Sequence, residues 1–461
     1  MDTPPLKLYN TLGRKLEGFT PLHDHEVGLY TCGPTVYAPQ HIGNMRYFIF
    51  ADVLKRTLLF DGYTVKHVMN ITDVGHLTSD EDSGDDKMET SAKKLHKSAL
   101  DIAQEITNLF LQDLKALNVI PADVIPYATK TIPLQINLIK QLEEKGFTYR
   151  TTDGIYFDTS KFPSYGILSG QKSTDKKAGA RVELNDEKKN PSDFALWKFS
   201  KPEDKRQMEW PSPWGVGFPG WHIECSAMSI SEFPNGLDIH CGGIDHIAVH
   251  HENEIAQNEA SGHPDFVKYW MHGEFLVLPG KRMGKSEGNA VTLSELNVDP
   301  LFFRYLTLLT HYRKQLSYTE ESLAAAGNAL MRLWAMLEDK VLDRSKKPIT
   351  KYVDAFSAAM NNDLNTPVAL GVLHEMIADD SYSEAEKITT LSVFDVVLAL
   401  DLTPEAAKKH TIVTGHEALL QQYILARKEK RFVDSDQIRK EFEEMGILVE
   451  DSAQGSRLRK K

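Results

Sequence analysis

Between Trp221 and Asn258 the chain reads WHIECSAMSISEFPNGLDIHCGGIDHIAVHHENEIAQN, and these 38 residues hold two of its three cysteines, five histidines and four glutamates. Cys225 falls at the head of a predicted helix. His246, His250 and Glu254 recur every four residues, which on one α-helix would set them on a single face. Imidazole and carboxylate on successive turns can close on one small cation, and a thiolate from elsewhere adds a softer ligand. Such a mixed set suits zinc, whereas calcium and magnesium prefer oxygen alone. Spacing leaves the register open, because His246/His250, His250/Glu254 and His251/Glu254 all satisfy i,i+3 or i,i+4. A solvated histidine-rich helix face would show the same pattern.

Two shorter stretches carry phosphate chemistry. HIGN (His41–Asn44) sits at a strand-to-helix turn, where its imidazole and amide can bond phosphate oxygens beside the positive end of the following helix. RMGKS (Arg282–Ser286) lies in the glycine-flanked basic loop PGKRMGKSEGN and brings two cations suited to a leaving pyrophosphate.

The elements that must position these groups follow from periodicity. Residues 27–32 predict a strand ending at Cys32-Gly33-Pro34, and Phe48, Val53, Leu54 and Leu58 mark a helix ending at Gly62. TVKHVMNITDVG (64–75) predicts a second strand, closed by Asn70 and Gly75. This βαβ unit seeds a parallel sheet, whose ligands sit beyond the carboxyl ends of the strands, where HIGN lies. The run TSDEDSGDDK (78–87) is an acidic loop with no metal role. Amphipathic helices are predicted over 98–117 and 131–145, then an irregular, strand-like region over 150–200 whose best strand is GIYFDTS. The block 116–200 reads as an insertion.

Strand EFLVL precedes the basic loop, and helices dominate after it. Predicted features there are a capping box at Ser317–Glu320, apolar stripes Leu330/Trp334/Leu337/Val341 and Val353/Phe356/Met360, a Thr366-Pro367 helix start and a second box at Ser383–Glu386. DLTPEAAKKH (401–410) reads as a linker to a last unit of about 50 residues.

The 461 residues suffice for several domains with substantial cores, and no apolar run approaches a membrane span. The start lacks signal-peptide character and an odd cysteine count makes no disulfide framework, so a cytoplasmic protein with free thiols is expected. A net charge of −12 argues against non-specific coating of nucleic acid. It leaves room for one structured RNA, since residues 421–461 carry ten Lys/Arg against eight Asp/Glu.

HIGN and RMGKS, about 240 residues apart around a βαβ pattern, resemble the HIGH and KMSKS signatures of class I aminoacyl-tRNA synthetases. CGPTVY, GWHIECSAM, GGID…HHENEIAQ, DLNTP and SDQIR are similar to the cysteinyl-tRNA synthetase family, and the likeness runs from about residue 6 to the C-terminus. The resemblance implies a Rossmann-like α/β catalytic domain (1–115 and 201–300) with a connective insertion (116–200). A stem-contact and helical bundle domain (301–405) and a small anticodon-recognition domain (406–461) follow.

It also implies ATP-dependent attachment of cysteine to tRNA through a cysteinyl-adenylate. One zinc ion per chain would be bound by Cys32, Cys225, His250 and Glu254, which selects one of the open registers. Cys241 matches no ligand and reads as a small buried residue near the site. Gly33, Thr72 and Trp221 would hold the substrate cysteine. His41, Gly43, Asn44, Gly243, Asp245, Arg282, Met283, Lys285 and Ser286 would hold Mg-ATP, with His41, Asn44 and Lys285 catalytic.

Asn44 replaces the final histidine of HIGH and keeps a hydrogen bond but no charge, while Gly284 replaces a serine of KMSKS. Arg427, Phe432, Asp436 and Asp451 would read the anticodon, Phe432 standing where tryptophan is usual; Leu458 replaces another. The insertion is small for a hydrolytic editing domain. A monomer without membrane contact is expected. Alternatives are the cysteine ligase of mycothiol synthesis, which resembles only the front of the chain, and a non-catalytic RNA-binding paralogue.

Overall fold

VGLYT and TVKHVM combine β-branched and aromatic residues and form neighbouring parallel strands, Glu26–Thr31 and Thr64–Met69, joined by the helix Ile42–Phe60. The computed structural model describes residues 4–75, 87–170, 186–201, 206–279, 281–283, 288–411, 416–452 and 455–460. Two later strands, Val267–Gly273 and Leu237–Gly243, complete a four-stranded parallel sheet in the order 267–273, 237–243, 26–31, 64–69. The sheet is buried on both faces, as parallel sheets require.

Alternation along the strands divides the chemistry between those faces. Val27, Leu29, Ile239, Cys241 and Met271 join the core around Ile42, Met45, Ile49 and Val53 of the first helix. Tyr30, Cys32 and Trp270 join the opposite core, with Cys225 and Ile255 from the helices Trp221–Glu232 and His250–Ser261. His240 pairs with Tyr30 and Trp270 across the sheet and stacks on both rings. Cys241, one residue on, therefore points to the other side.

The region read as irregular and strand-like over 150–200 contributes strands to one small sheet, and the expected GIYFDTS strand is present as Gly154–Phe157. Thr148–Arg150, Gly154–Phe157, Phe194–Phe199 and Gly217–Pro219 form an antiparallel sheet whose last strand lies past residue 200 and runs through Gly220 into the helix at Trp221. Its strand FALWKF is buried on both sides, so it lacks the polar alternation that marks a strand in sequence. The acidic stretch 78–87 lies, up to residue 86, outside the described residues.

In the C-terminal half the predicted helices are present with three corrections. The first box is made by Thr319 and Ser322, not Ser317 and Glu320, and Ser317 lies in a short strand. Asn365 caps the DLNTP helix through Val368 N, which moves Thr366 inside it. DLTPEAAKKH is no linker: Pro404–Thr411 is a helix whose Ala407 is fully buried. Leu330, Trp334, Leu337, Phe356 and Met360 are core as expected, but Val341 lies beyond its helix and is 77% exposed. The box at Ser383 and Glu386 is present.

Arg304 binds this bundle to the sheet domain. It is fully buried and donates to Leu117 O (2.9 Å), Leu398 O (2.7 Å) and the Asp52 carboxylate (2.6 Å). The last unit packs the helices Glu417–Lys428 and Phe432–Glu444 on a hairpin, around Tyr423, Phe442, Ile447, Val449 and Leu458. Leu458 is thus a core residue of that hairpin. Among the described residues no helix is long and apolar enough to cross a membrane.

His410, at the end of the helix that precedes this unit, stacks on Trp334 at 3.9 Å. Its Nδ1 lies 2.6 Å from Asp299 and its Nε2 2.7 Å from Asp401. Burial opposes its charge, but the two carboxylates outweigh that and raise its pKa to about 9. A raised pKa contributes stability that is complete below the unfolded value near 6.5 and vanishes as pH climbs through 9. Stability against thermal unfolding should therefore fall by roughly 2 kcal/mol between pH 6.5 and 9.5. His410→Asn should flatten that slope, and an unchanged slope would remove the histidinium from the account.

Candidate active site

The carboxyl ends of the strands Glu26–Thr31 and Thr64–Met69 are stitched together by one amide. Asn70 Oδ1 accepts from Gly33 N at 2.9 Å, and its Nδ2 donates to Thr72 Oγ1 at 3.0 Å. Thr35 and Thr72 pair as a bridge just beyond. A Cβ on Gly33 would collide with the Asn70 carbonyl oxygen, so the close approach demands glycine there. The geometry brings Gly33 and buried Thr72 side by side.

Beneath them lies the predicted ligand cluster. One donor atom each from Cys32, Cys225, His250 and Glu254 lies within 4.8 Å of the other three, and all four residues are buried. His250 and Glu254 stand one turn apart on the helix His250–Ser261, with Nε2 to Oε1 3.1 Å. His246 lies outside that helix, in a 3-10 turn, so the expected run of three on one face is cut at its first member. Trp221 stacks on His250 at 4.5 Å.

The electrostatics of this cluster call for a cation. Burial drives the Cys32 thiol and the Glu254 carboxyl well above their ordinary ranges. Cys225, hydrogen-bonded by Cys32, is held below its own. Glu254 Oε2 is buried and finds no hydrogen-bond partner. An uncompensated carboxylate in so dry a place is costly, and thiolate, imidazole and carboxylate are zinc donors. The residues present fit such an ion.

Sequence reasoning weighed His251 and left it out of the ligand set, and missed His240 and His272 behind the cluster. His251 Nε2 and His240 Nε2 lie 3.3 and 3.4 Å from Cys32 Sγ. His251 Nδ1 meets His272 Nε2 at 2.8 Å, and His272 Nδ1 meets Thr11 Oγ1 at 2.8 Å. Burial lowers all three histidines, His272 to about 3, so they are neutral. The signal was the strand alternation that puts 240 and 272 on the Cys32 face. Cys241 is fully buried on the opposite face, near the site but outside the cluster.

HIGN forms the cap of its helix. His41 is the N-cap: its Nδ1 accepts from Asn44 N (3.2 Å), and Asn44 Oδ1 accepts from His41 N (3.3 Å). The departure at Asn44 thus completes a capping box. Ile42 N donates to Val291 O at 2.8 Å and His41 bridges Thr292, which ties HIGN to the segment just past RMGKS. Arg46, buried one turn on, donates to Glu274 O (2.8 Å) and to the carbonyls of Phe275 and Lys314. Gly243 ends its strand and donates to His246 Nδ1, with Asp245 exposed at the rim. Arg282 closes a short strand pairing and Met283 is buried, whereas Gly284, Lys285 and Ser286 lie outside the described residues.

In the last unit Arg427, Phe432 and Asp451 converge. Arg427 lies 3.8 Å from Asp451 and 5.9 Å over the Phe432 ring. Phe432 is 53% exposed, which removes it from the core. Asp436 follows one turn later on the same helix. Tyr423 and Arg439, not singled out in the sequence, both hydrogen-bond Asp451 at 2.8 Å.

A family model for the catalytic domain of class I (C) tRNA synthetases matches residues 18–328, and one for the DALR domain matches 355–379. The fold is shared with a solved methionyl-tRNA synthetase of Mycobacterium tuberculosis in complex with methionyl-adenylate, at TM-score 0.57 and 15% identity over 83% of this chain and 92% of that one. Cysteine–tRNA ligase 1 of Burkholderia lata is 46% identical over 98% of this chain and 97% of its own length. The cysteine–tRNA ligase of Treponema denticola is 41% identical over 97% and 98%. The chain belongs to the cysteine–tRNA ligase family of class I tRNA synthetases.

Gly33→Ala should force the two strand ends apart. The expected cost is about 3 kcal/mol, read as a lowered denaturant midpoint; an unshifted midpoint would show that the seam can relax around a methyl group.

Proposed function

We propose that this chain joins cysteine to its tRNA in two steps at the carboxyl edge of the parallel sheet. In the first, the ionised carboxylate of cysteine attacks the α-phosphorus of Mg-ATP; the new O–P bond forms as the bond to pyrophosphate breaks, leaving cysteinyl-adenylate. In the second, the terminal adenosine hydroxyl of the tRNA attacks the cysteinyl carbonyl and AMP leaves. No side-chain nucleophile is required, so the chain's part is positioning and charge stabilisation.

The observation that carries this reading is the convergence of Cys32, Cys225, His250 and Glu254 next to Gly33 and Thr72. Bound by those four, zinc would supply a Lewis acid that prefers a thiolate to an alcohol, a distinction between cysteine and serine that packing alone makes poorly. Thr72, the Gly33 backbone and Trp221 would hold the amino acid. His41 and Asn44, at the positive end of their helix, would take the triphosphate together with Gly43. Gly243 and Asp245 would face the adenosine. Arg282, Met283, Lys285 and Ser286 would close over the pyrophosphate, with Lys285 supplying the charge. Arg427, Phe432, Asp436 and Asp451 would read the anticodon, the exposed Phe432 ring offering a stacking face. The expected division would be 1–115 with 201–300, 116–200, 301–405 and 406–461, with the insertion's sheet reaching on to Pro219 and the helix Pro404–Thr411 going with the bundle.

Cysteine-dependent pyrophosphate exchange tests the first step. Cys225→Ser should reduce it by roughly 100-fold, and chelation should abolish it until zinc is restored. Full exchange in metal-free protein would overturn the site. Phe432→Ala should lower tRNA charging by about 10-fold, the worth of one stacked base, through a raised KM for tRNA. Equal losses in charging and exchange would deny it an RNA role.

A further inference from the structure

The sheet face around Cys32 carries more metal donors than one four-coordinate ion can use. Cys32, His240, His251 and Glu254 each present a donor atom within 4.8 Å of the other three, and all are buried. Cys32 Sγ is 3.4 Å from His240 Nε2, 3.3 Å from His251 Nε2 and 4.0 Å from Glu254 Oε1. Glu254 Oε1 is 3.6 Å from His240 Nε2 and 3.9 Å from His251 Nε2. With metal–sulfur bonds near 2.3 Å and metal–nitrogen bonds near 2.0 Å, a tetrahedral shell has donor separations of about 3.3–3.8 Å. The three that involve His240 or join Cys32 to His251 fall in that range, and the two from Glu254 to Cys32 and His251 are slightly longer.

We propose that these four residues form a second, overlapping seat for a divalent transition-metal ion, sharing Cys32 and Glu254 with the seat completed by Cys225 and His250. The inference rests on the zinc reading given above and extends it. Three observations support the second seat. Each seat has its own outer imidazole: His250 Nδ1 meets His222 Nδ1 at 3.0 Å, and His251 Nδ1 meets His272 Nε2 at 2.8 Å. With His251 bonding the ion through Nε2, its Nδ1–H donates to His272, whose Nδ1–H donates to Thr11. That relay fixes the tautomer a ligand needs. His240 is clamped between Tyr30 and Trp270 with Nε2 on the Cys32 side. Glu254 Oε2 is buried without a hydrogen-bond partner among the described residues, so no protein donor competes with an ion for this carboxylate's second oxygen.

Charge distinguishes the seats. Two thiolates and a carboxylate around a dication leave one net negative charge, whereas one thiolate, one carboxylate and two neutral imidazoles leave none. The second seat therefore takes the borderline ions that imidazole favours, zinc, cobalt(II) and nickel(II) among them. It retains the ion when Cys225 is lost as a ligand.

Cobalt(II) titration of the chelator-stripped full chain tests this. The parent should take one cobalt with tetrahedral visible bands and thiolate-to-cobalt charge transfer from two sulfurs. Cys225→Ala/His250→Ala removes both residues that belong to the first seat alone. It should still take one cobalt, with charge transfer at roughly half intensity and affinity weakened by less than about 100-fold. Adding His251→Asn should abolish binding. X-ray absorption on the single Cys225→Ser variant, the milder change, should count one sulfur and two imidazoles.

Loss of cobalt from the double variant with the parent retaining it, or one imidazole in Cys225→Ser, overturns the second seat alone. A parent showing one sulfur and two imidazoles overturns the first-seat reading and makes the second the resting position. A parent that binds none overturns both.

Discussion

A carboxylate and two thiolates packed where water cannot reach are tolerable only beside a positive charge, and most of this structure serves to assemble that arrangement. Cys32 comes from the end of one strand, Cys225 from the second turn of a helix, and His250 and Glu254 from a second helix. Desolvation of charge is among the largest local costs in a protein interior. Four donors from three distant parts of the sequence stay together because packing around them is dense: Tyr30, Trp270 and the histidines fill the space on the sheet side.

The insertion braces the same cluster from the opposite side. Glu252, between the ligand-bearing turns of its helix, accepts from Gly166 N, Leu168 N and Ser169 N, while Tyr165 donates to Asn253 at 2.6 Å. One buried carboxylate thus fixes where the helix His250–Ser261 sits against the insertion. The phosphate side has its own brace, since HIGN is held by Val291 and Thr292 and by the carbonyls that Arg46 gathers. Binding groups on both sides are held by backbone hydrogen bonds rather than by exposed side chains, which suits a reaction carried by positioning.

Much of this was legible in the sequence. The βαβ unit and its parallel pairing were written in apolar alternation and turn residues, and the helices after residue 317 in their apolar stripes. The ligand cluster was readable only through resemblance, because spacing admitted several registers and Cys32 lies about 190 residues from Cys225. Of the antiparallel sheet in the insertion only the strand in GIYFDTS was legible; FALWKF is buried on both faces and shows no period. The helix over 404–411 was hidden for another reason. It has one fully buried alanine, and its hold on the bundle comes from His410 and Trp334, a contact with no local signature. Tyr423 and Arg439 were missed because their role exists only once the hairpin folds back.

The strand order has a consequence for how the chain is made. Half of the parallel sheet is complete by residue 69, yet its inner neighbour begins at Leu237, about 170 residues later. At roughly 5–20 residues per second a ribosome needs on the order of 10–30 s to cover that gap. Throughout that interval the edge of Glu26–Thr31 has no partner, and Asp52 waits longer still for Arg304. A nascent chain in this state presents an open strand edge to anything nearby, so holdase chaperones have a defined window in which to act.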